Sequence, residues 1–196
     1  MADGCASNNN GFVNNVGQSI DCCVTSSGQM QQARPVQVQS CPTCGKQGKK
    51  VDIEAVKAML AITLHEIQPD RSYLFCRTED CTVVYFADDG EQIFTEDELR
   101  EKVYQKHPDD DDVFVCYCFR HTLGSIRAEL LATGQSTVVE TVTAGTKIHQ
   151  CACEIRNPQG SCCLGNVQAA IKCVTQALSG ALICKSMNKK AALSES

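Results

Sequence analysis

Ten of the fifteen cysteines in this 196-residue sequence lie between positions 41 and 163, in two separate groups whose chemistry is that of thiols and metals. The first group is Cys41-Pro-Thr-Cys44, 31 intervening residues, then Cys76-Arg-Thr-Glu-Asp-Cys81. Zinc takes four ligands in a tetrahedron, and two short cysteine pairs on tight turns can supply four thiolates. Pro42 and Gly45 suit such a turn, so Cys41, Cys44, Cys76 and Cys81 are expected to hold a structural zinc ion. The second group is Cys116-Tyr-Cys118, 32 intervening residues, Cys151-Ala-Cys153 and, after eight more, Cys162-Cys163. That is six cysteines for a site needing four. A [2Fe–2S] cluster takes two thiolates at each iron, which a close pair plus a distant set can provide. Gly160, just before Cys162-Cys163 at an expected helix start, would turn backbone N–H groups and the positive dipole end toward an anionic cluster. A third pair, Cys22-Cys23, is a candidate transient site for a soft metal such as Cu(I).

The elements that must position these thiols follow from pattern. Residues 1–38 are rich in Asn, Gln, Ser and Gly, which cannot offset the entropy of ordering, and read as a flexible tail. Asp52 caps an expected helix with Val56, Met59, Leu60 and Leu64 at helical spacing. The runs 72–76 and 81–86 are aromatic and β-branched, two strands of a hairpin with Arg77 to Asp80 at its tip, and a third short strand is expected at 92–94. Thr95 with Glu98 forms a capping-box signature for a helix through Tyr104. His107-Pro108 and the run Asp109 to Asp112 then mark a solvated boundary. Beyond it, Phe114 to Phe119 is a short strand or loop, Thr122 caps a helix to Leu131, and Ser136 or Thr137 caps one through Val142. A last helix starts near Cys163 with Val167, Ala170, Ile171, Val174, Leu178 and Leu182 on one face, where Cys173 and Cys184 read as small apolar groups. The expected fold is α+β. A small zinc-ribbon-like β-hairpin and helix domain covers 39–108, and a small, mainly helical [2Fe–2S] domain covers 113–184. A disordered N-terminal tail precedes them and a tail at 185–196 follows.

Composition narrows the function further. Aromatics are 5%, Trp is absent and hydrophobic residues are 43%, too little for one large core without cross-links. A formal net charge of −5 with no basic block disfavours nucleic acid as a partner. No export signal is legible in residues 1–18 and the cysteine count is odd, so a reducing, cytoplasmic location is expected and metal is favoured over disulfides. The apolar stretch 167–184 is broken by Lys172, Gln176 and Ser179, so membrane insertion is not expected. No Ser/His/Asp set, phosphate-cradling loop or carboxylate pair is evident, and enzymatic activity beyond metal reduction is not indicated. None of the four histidines has a His partner at i+4. His149, two residues before Cys151, is the one expected to donate a hydrogen bond that tunes the cluster, and Tyr117 and Phe119 are expected to cover its sulfurs.

The strings Val115-Cys-Tyr-Cys-Phe119 and Cys151-Ala-Cys-Glu-Ile-Arg-Asn-Pro-Gln-Gly-Ser-Cys-Cys-Leu-Gly165 complete a pattern begun by Cys-Pro-x-Cys-Gly and Phe-Cys-x4-Cys-x-Val-Val-Tyr-Phe. Together they resemble the CopZ-type metallochaperones over roughly residues 39–172. That resemblance implies a mononuclear zinc domain joined to a [2Fe–2S] domain similar to bacterioferritin-associated ferredoxin. It implies zinc ligands Cys41, Cys44, Cys76 and Cys81, and cluster ligands Cys116, Cys118, Cys151 and Cys163, with Cys162 or Cys153 as alternatives to the last two. Copper-carrying members add a heavy-metal-associated domain with a Met-x-Cys-x-x-Cys loop, and no such loop occurs here after Gly165. The implied role is trafficking or resistance toward copper or another soft metal, with the cluster as a one-electron donor converting Cu(II) to Cu(I). The partners would be metal ions and a copper-transporting ATPase or a redox protein. The alternative is a ferredoxin-like electron-transfer or cluster-sensing adaptor that does not handle copper. A third reading has zinc in both groups.

Overall fold

Four short antiparallel strands, Lys49–Val51 (β1), Tyr73–Phe75 (β2), Val83–Ala87 (β3) and Ile93–Thr95 (β4), form a sheet in the order β1-β2-β3-β4. This is a computed structural model that describes residues 39–180. The tails, with Cys22, Cys23 and Cys184, lie outside the described residues. Alternation along β2 sorts its side chains: Leu74 joins Phe86 and Val83 on the face that carries Cys41, Cys76 and Cys81. Tyr73 and Phe75 join Tyr85 on the opposite face, against Ala55, Val56 and Met59 of the helix Ile53–Met59 (α1). A register shift between Val83 and Tyr85 lets consecutive Val84 and Tyr85 both enter that second core. β4 lies where the third strand is expected, and the sheet is one strand larger than expected because β1, two lysines and a valine, carries no strand signal of its own and is recruited by pairing with β2.

Two helix expectations are corrected by one contact. The capping box at Thr95 forms, with Thr95 N donating to Glu98 Oε2, but it closes only a 3-10 turn, Glu96–Glu98. Ala61 N donates to Glu98 O and Arg100 N to Met59 O, and Leu60 bridges Leu99. These long-range backbone bonds replace the intrahelical ones on both segments. They end α1 at Met59 and leave Leu64 exposed in a separate 3-10 turn.

The second half begins with a two-stranded hairpin, Phe114–Cys116 (β5) and His121–Thr122 (β6), pairing Cys116 with His121. Four helices follow: Leu123–Thr133 (α2), Val138–Lys147 (α3), Cys153–Arg156 (α4) and Leu164–Leu178 (α5). Thr122 caps α2 as expected, accepting from Ser125 N. Val115, Ile126, Leu130, Val142, Val167 and Val174 make the core, and Cys116, Cys153 and Cys163 lie within it. Cys173 on α5 is disulfide-bonded, which corrects the expectation of a free apolar thiol. The described residues fall within one compact unit, in which α1 packs on α4 and Tyr85 Oη donates to Pro158 O at 2.7 Å. Among the described residues no helix is long and apolar enough to cross a membrane.

Glu129 joins α2 to α3. Its carboxylate accepts from Thr137 Oγ1 at 2.6 Å, Thr137 N at 3.0 Å and Ser136 Oγ at 2.8 Å, immediately before α3. The Thr137 hydroxyl and N–H, then Ser136, hold its pKa below the ordinary carboxylate value. A depressed folded pKa contributes stability that is present above the unfolded value, about 4.3, and is lost as pH falls through the folded one. Thermal melts should therefore show Glu129→Gln less stable than wild type at pH 7, with the gap closing below about pH 4.3. A gap unchanged at low pH would contradict the assignment.

Candidate metal centres

The first centre rests on two tight turns. Gly45 N donates to Cys41 O at 2.8 Å, Cys41 N donates to Lys46 O at 2.8 Å, and Gly45 takes a left-handed φ of 69° that closes the loop. Opposite it, the β2–β3 connection is closed by Cys76 N to Val84 O and Cys81 N to Thr78 O. Sγ atoms are 3.7 Å apart for Cys41 and Cys81 and 3.6 Å for Cys44 and Cys76, and all four lie within 4.8 Å of one another. A zinc–sulfur bond of about 2.3 Å puts tetrahedral sulfurs about 3.8 Å apart, so this quartet fits zinc. Backbone N–H groups point at the sulfurs: Thr43 and Cys44 at Cys41, Lys46 at Cys44, Val83 at Cys81. Burial opposes ionisation of Cys44, but the Thr78 hydroxyl, the Lys46 N–H and the neighbouring thiols outweigh it and bring the thiol down to about 6. Burial, with the other thiols adding to it, pushes Cys81 up to about 12. Four sulfurs so close cannot all ionise without a cation, which is the charge requirement a divalent metal meets.

The second centre gathers sulfurs from three places. Cys116 and Cys118 leave the β5–β6 hairpin, Cys153 opens α4, and Cys163 caps α5. Cys118 Sγ is 3.7 Å from Cys153 Sγ, and Ala152 N donates to Cys118 Sγ at 3.3 Å. Hydrogen bonding from the Cys163 thiol lowers Cys116 to about 7 and Cys153 to about 5, and the same bonds raise Cys163. Burial pushes Cys118 up to about 12. The Phe119 and Cys118 N–H groups face Cys116, and the Cys163 N–H faces Cys153. Cys118 and Cys153 lie at the spacing of two thiolates on one metal, and Cys116 and Cys163 are buried in the same core, a four-thiol donor set of the type an iron–sulfur cluster takes. Of the sequence candidates, Cys151 is half-buried beside Cys153, and Cys162 is exposed.

The surroundings are partly those expected. Tyr117 is buried, and its hydroxyl donates to Lys102 O and accepts from Tyr104 N, pinning the C-x-C turn to the preceding segment. The Phe119 ring packs where a Cβ on Gly145 would lie 2.2 Å from its Cζ, so α3 can approach only through glycine. His149 is exposed; instead of facing a sulfur it ends α3 with a left-handed φ of 57°, and Gln150 N closes back on Gly145 O. Sequence reading missed Asn157 and Gln159, both buried. Asn157 Nδ2 donates to Ser161 O, and Gln159 Nε2 donates to Ser161 O and Cys162 O. Two amides in an Asn-Pro-Gln-Gly turn were the available signal.

Residues 38–100 match the family model of the CopZ-type zinc binding domain. The chain is 32% identical over 124 residues to a copper chaperone, CopZ, of Archaeoglobus fulgidus. That match covers 63% of this chain and 57% of the chaperone, so the chain spans less than two thirds of that relative's length. The crystal structure of the Archaeoglobus fulgidus CopZ N-terminal domain superposes with a TM-score of 0.56 at 29% identity, covering 66% of this chain and 95% of that domain.

Proposed function

We propose that this chain is a two-centre metal protein of soft-metal trafficking, with copper as the favoured cargo. In this reading Cys41, Cys44, Cys76 and Cys81 hold a structural zinc ion. Cys116, Cys118, Cys153 and Cys163 hold a [2Fe–2S] cluster. The observation that carries it is the closing of the Cys41, Cys44, Cys76 and Cys81 sulfurs to within 4.8 Å of one another, beside a second core that gathers Cys116, Cys118, Cys153 and Cys163, in a chain similar to a copper chaperone. Cys153 is preferred to Cys151 because it is buried and its Sγ is 3.7 Å from Cys118 Sγ. Cys163 is preferred to Cys162 because it is buried and Cys162 is exposed.

When bound, such a cluster supplies one-electron transfer, the stoichiometry that converts Cu(II) to the Cu(I) carried by thiolates. The protein's own residues hold the sulfurs as acceptors of backbone N–H bonds, and Tyr117 and Phe119 limit water at the C-x-C turn. Cargo is proposed to leave for a copper-transporting ATPase, with Cys22 and Cys23 as the transient carrier pair. Ten of the eleven described cysteines are free thiols, which supports a cytoplasmic location.

Anaerobically purified protein should contain roughly one zinc, two irons and two acid-labile sulfides per chain. Mixing the reduced protein with Cu(II) should oxidise the cluster as Cu(I) appears, and an unreactive cluster would leave an adaptor that does not handle copper. Cys153→Ser should lose most iron and visible absorption, while Cys151→Ser keeps both. The reverse result would move the ligand to Cys151.

A further inference from the structure

Three consecutive residues outside both thiol groups reach toward both of them. Tyr104 N donates to the hydroxyl of Tyr117, which sits between Cys116 and Cys118. Gln105 Nε2 donates to Gln159 Oε1 at 2.6 Å. Gln159 in turn holds the carbonyls of Ser161 and Cys162 ahead of Cys163, and Asn166 Nδ2 donates to the same Gln159 oxygen. Lys106 turns the other way. Its ammonium, on a residue only 7% exposed, donates to Thr78 O at 2.7 Å and Val83 O at 2.8 Å, the carbonyls that flank Cys81 in the first centre.

Burying an ammonium is costly unless its donors and its charge are both met, and Lys106 spends two of its hydrogen bonds on carbonyls of the loop that presents Cys81. Four thiolates around one divalent cation carry a formal charge of about −2, which supplies counter-charge beside that loop. Zinc in the first centre would therefore hold Lys106 in place, and Gln105, one residue away on the same backbone, would hold the loop that presents Cys163.

We propose that Tyr104 to Lys106 form a relay coupling occupancy of the four-cysteine zinc site to retention of the cluster, with Lys106 and Gln105 as its positioning residues. The proposal rests on the two-centre reading above. Coupling of this kind is reciprocal: each metal group raises the affinity of the other site by the same factor.

The test uses the full chain carrying both metal groups, purified without oxygen. A zinc chelator is added, zinc release is followed by its dye complex, and cluster loss is followed by visible absorption. In wild type, zinc removal should speed cluster loss by about tenfold, within the usual range for coupled sites. In Lys106→Met and in Gln105→Ala the cluster should form but bleach at a rate that no longer depends on zinc. Lys106→Arg, which keeps a buried cation and donors, should restore part of the dependence. Gln105 is only half-buried, so its variant keeps the test decisive if Lys106→Met fails to fold. A wild-type cluster insensitive to zinc overturns the relay, as do variants as zinc-dependent as wild type. Wild type lacking iron and sulfide from the start overturns the two-centre reading, and the relay with it.

Discussion

Cys76→Ser is expected to reduce bound zinc to near zero and to lower the thermal midpoint by more than about 20 °C. The substitution is nearly isosteric, so little of this loss is packing. Cys76 directly follows β2 and is buried, with its sulfur 3.6 Å from that of Cys44. A serine hydroxyl does not ionise near neutral pH, so only three thiolates remain for a metal that needs four. Structural zinc sites contribute about 10–16 kcal/mol to folding, against a total domain stability of about 5–15 kcal/mol. The face of the sheet that carries Leu74, Val83 and Phe86 has the cysteines as its cover and should open with them. Zinc analysis and thermal melts check this, and chelation of wild type should give the same melt. A zinc-free Cys76→Ser protein as stable as wild type would show that the quartet is packed thiol and not a metal site.

Gly160→Ala should cost about 2–5 kcal/mol, a fall in midpoint of roughly 5–15 °C for a chain of this size. Two effects add. Gly160 has a left-handed φ of 60°, which costs a residue with Cβ about 1–2 kcal/mol. That Cβ would also lie 2.6 Å from Val51 Cγ2, at the junction of β1 with α1, where overpacking costs about 1–3 kcal/mol. The loop cannot move aside freely. Tyr85 holds Pro158 O, Lys49 Nζ donates to Ser161 Oγ, and Asn157 and Gln159 hold Ser161 O. The displacement should pass to Cys163 and lower cluster content as well as stability. Val51→Ala removes the clash but not the backbone strain, so Gly160→Ala should cost about half as much in a Val51→Ala background, whose own loss of a buried side chain is measured separately. An undiminished cost in that background would assign the whole effect to φ.

Much of the zinc-side architecture was legible in residue order because its determinants are local. C-x-x-C with Pro and Gly makes its own turn, and the aromatic and β-branched runs on either side of Arg77 to Asp80 make a hairpin whose mouth presents the second pair. Thr122 and the apolar stripe Val167, Ala170, Val174 likewise specify α2 and α5 from neighbours within a few residues. The helix expected after Thr95 failed for the opposite reason: its backbone groups find partners near Met59 and Ala61, about forty residues away, which no local propensity records.

Residue types and spacing alone determined that this protein carries two cysteine groups, and which four thiols form the first, since each pair is held by a turn of its own. Only the tertiary structure decided which sulfurs of the second group meet. The path from Gln150 to Cys163 is set by Tyr85, Lys49 and Gln105, contacts 54 to 112 residues distant in the chain. Adjacent cysteines that look equivalent in sequence are thereby separated, with Cys153 and Cys163 buried among the sulfurs and Cys162 left in solvent.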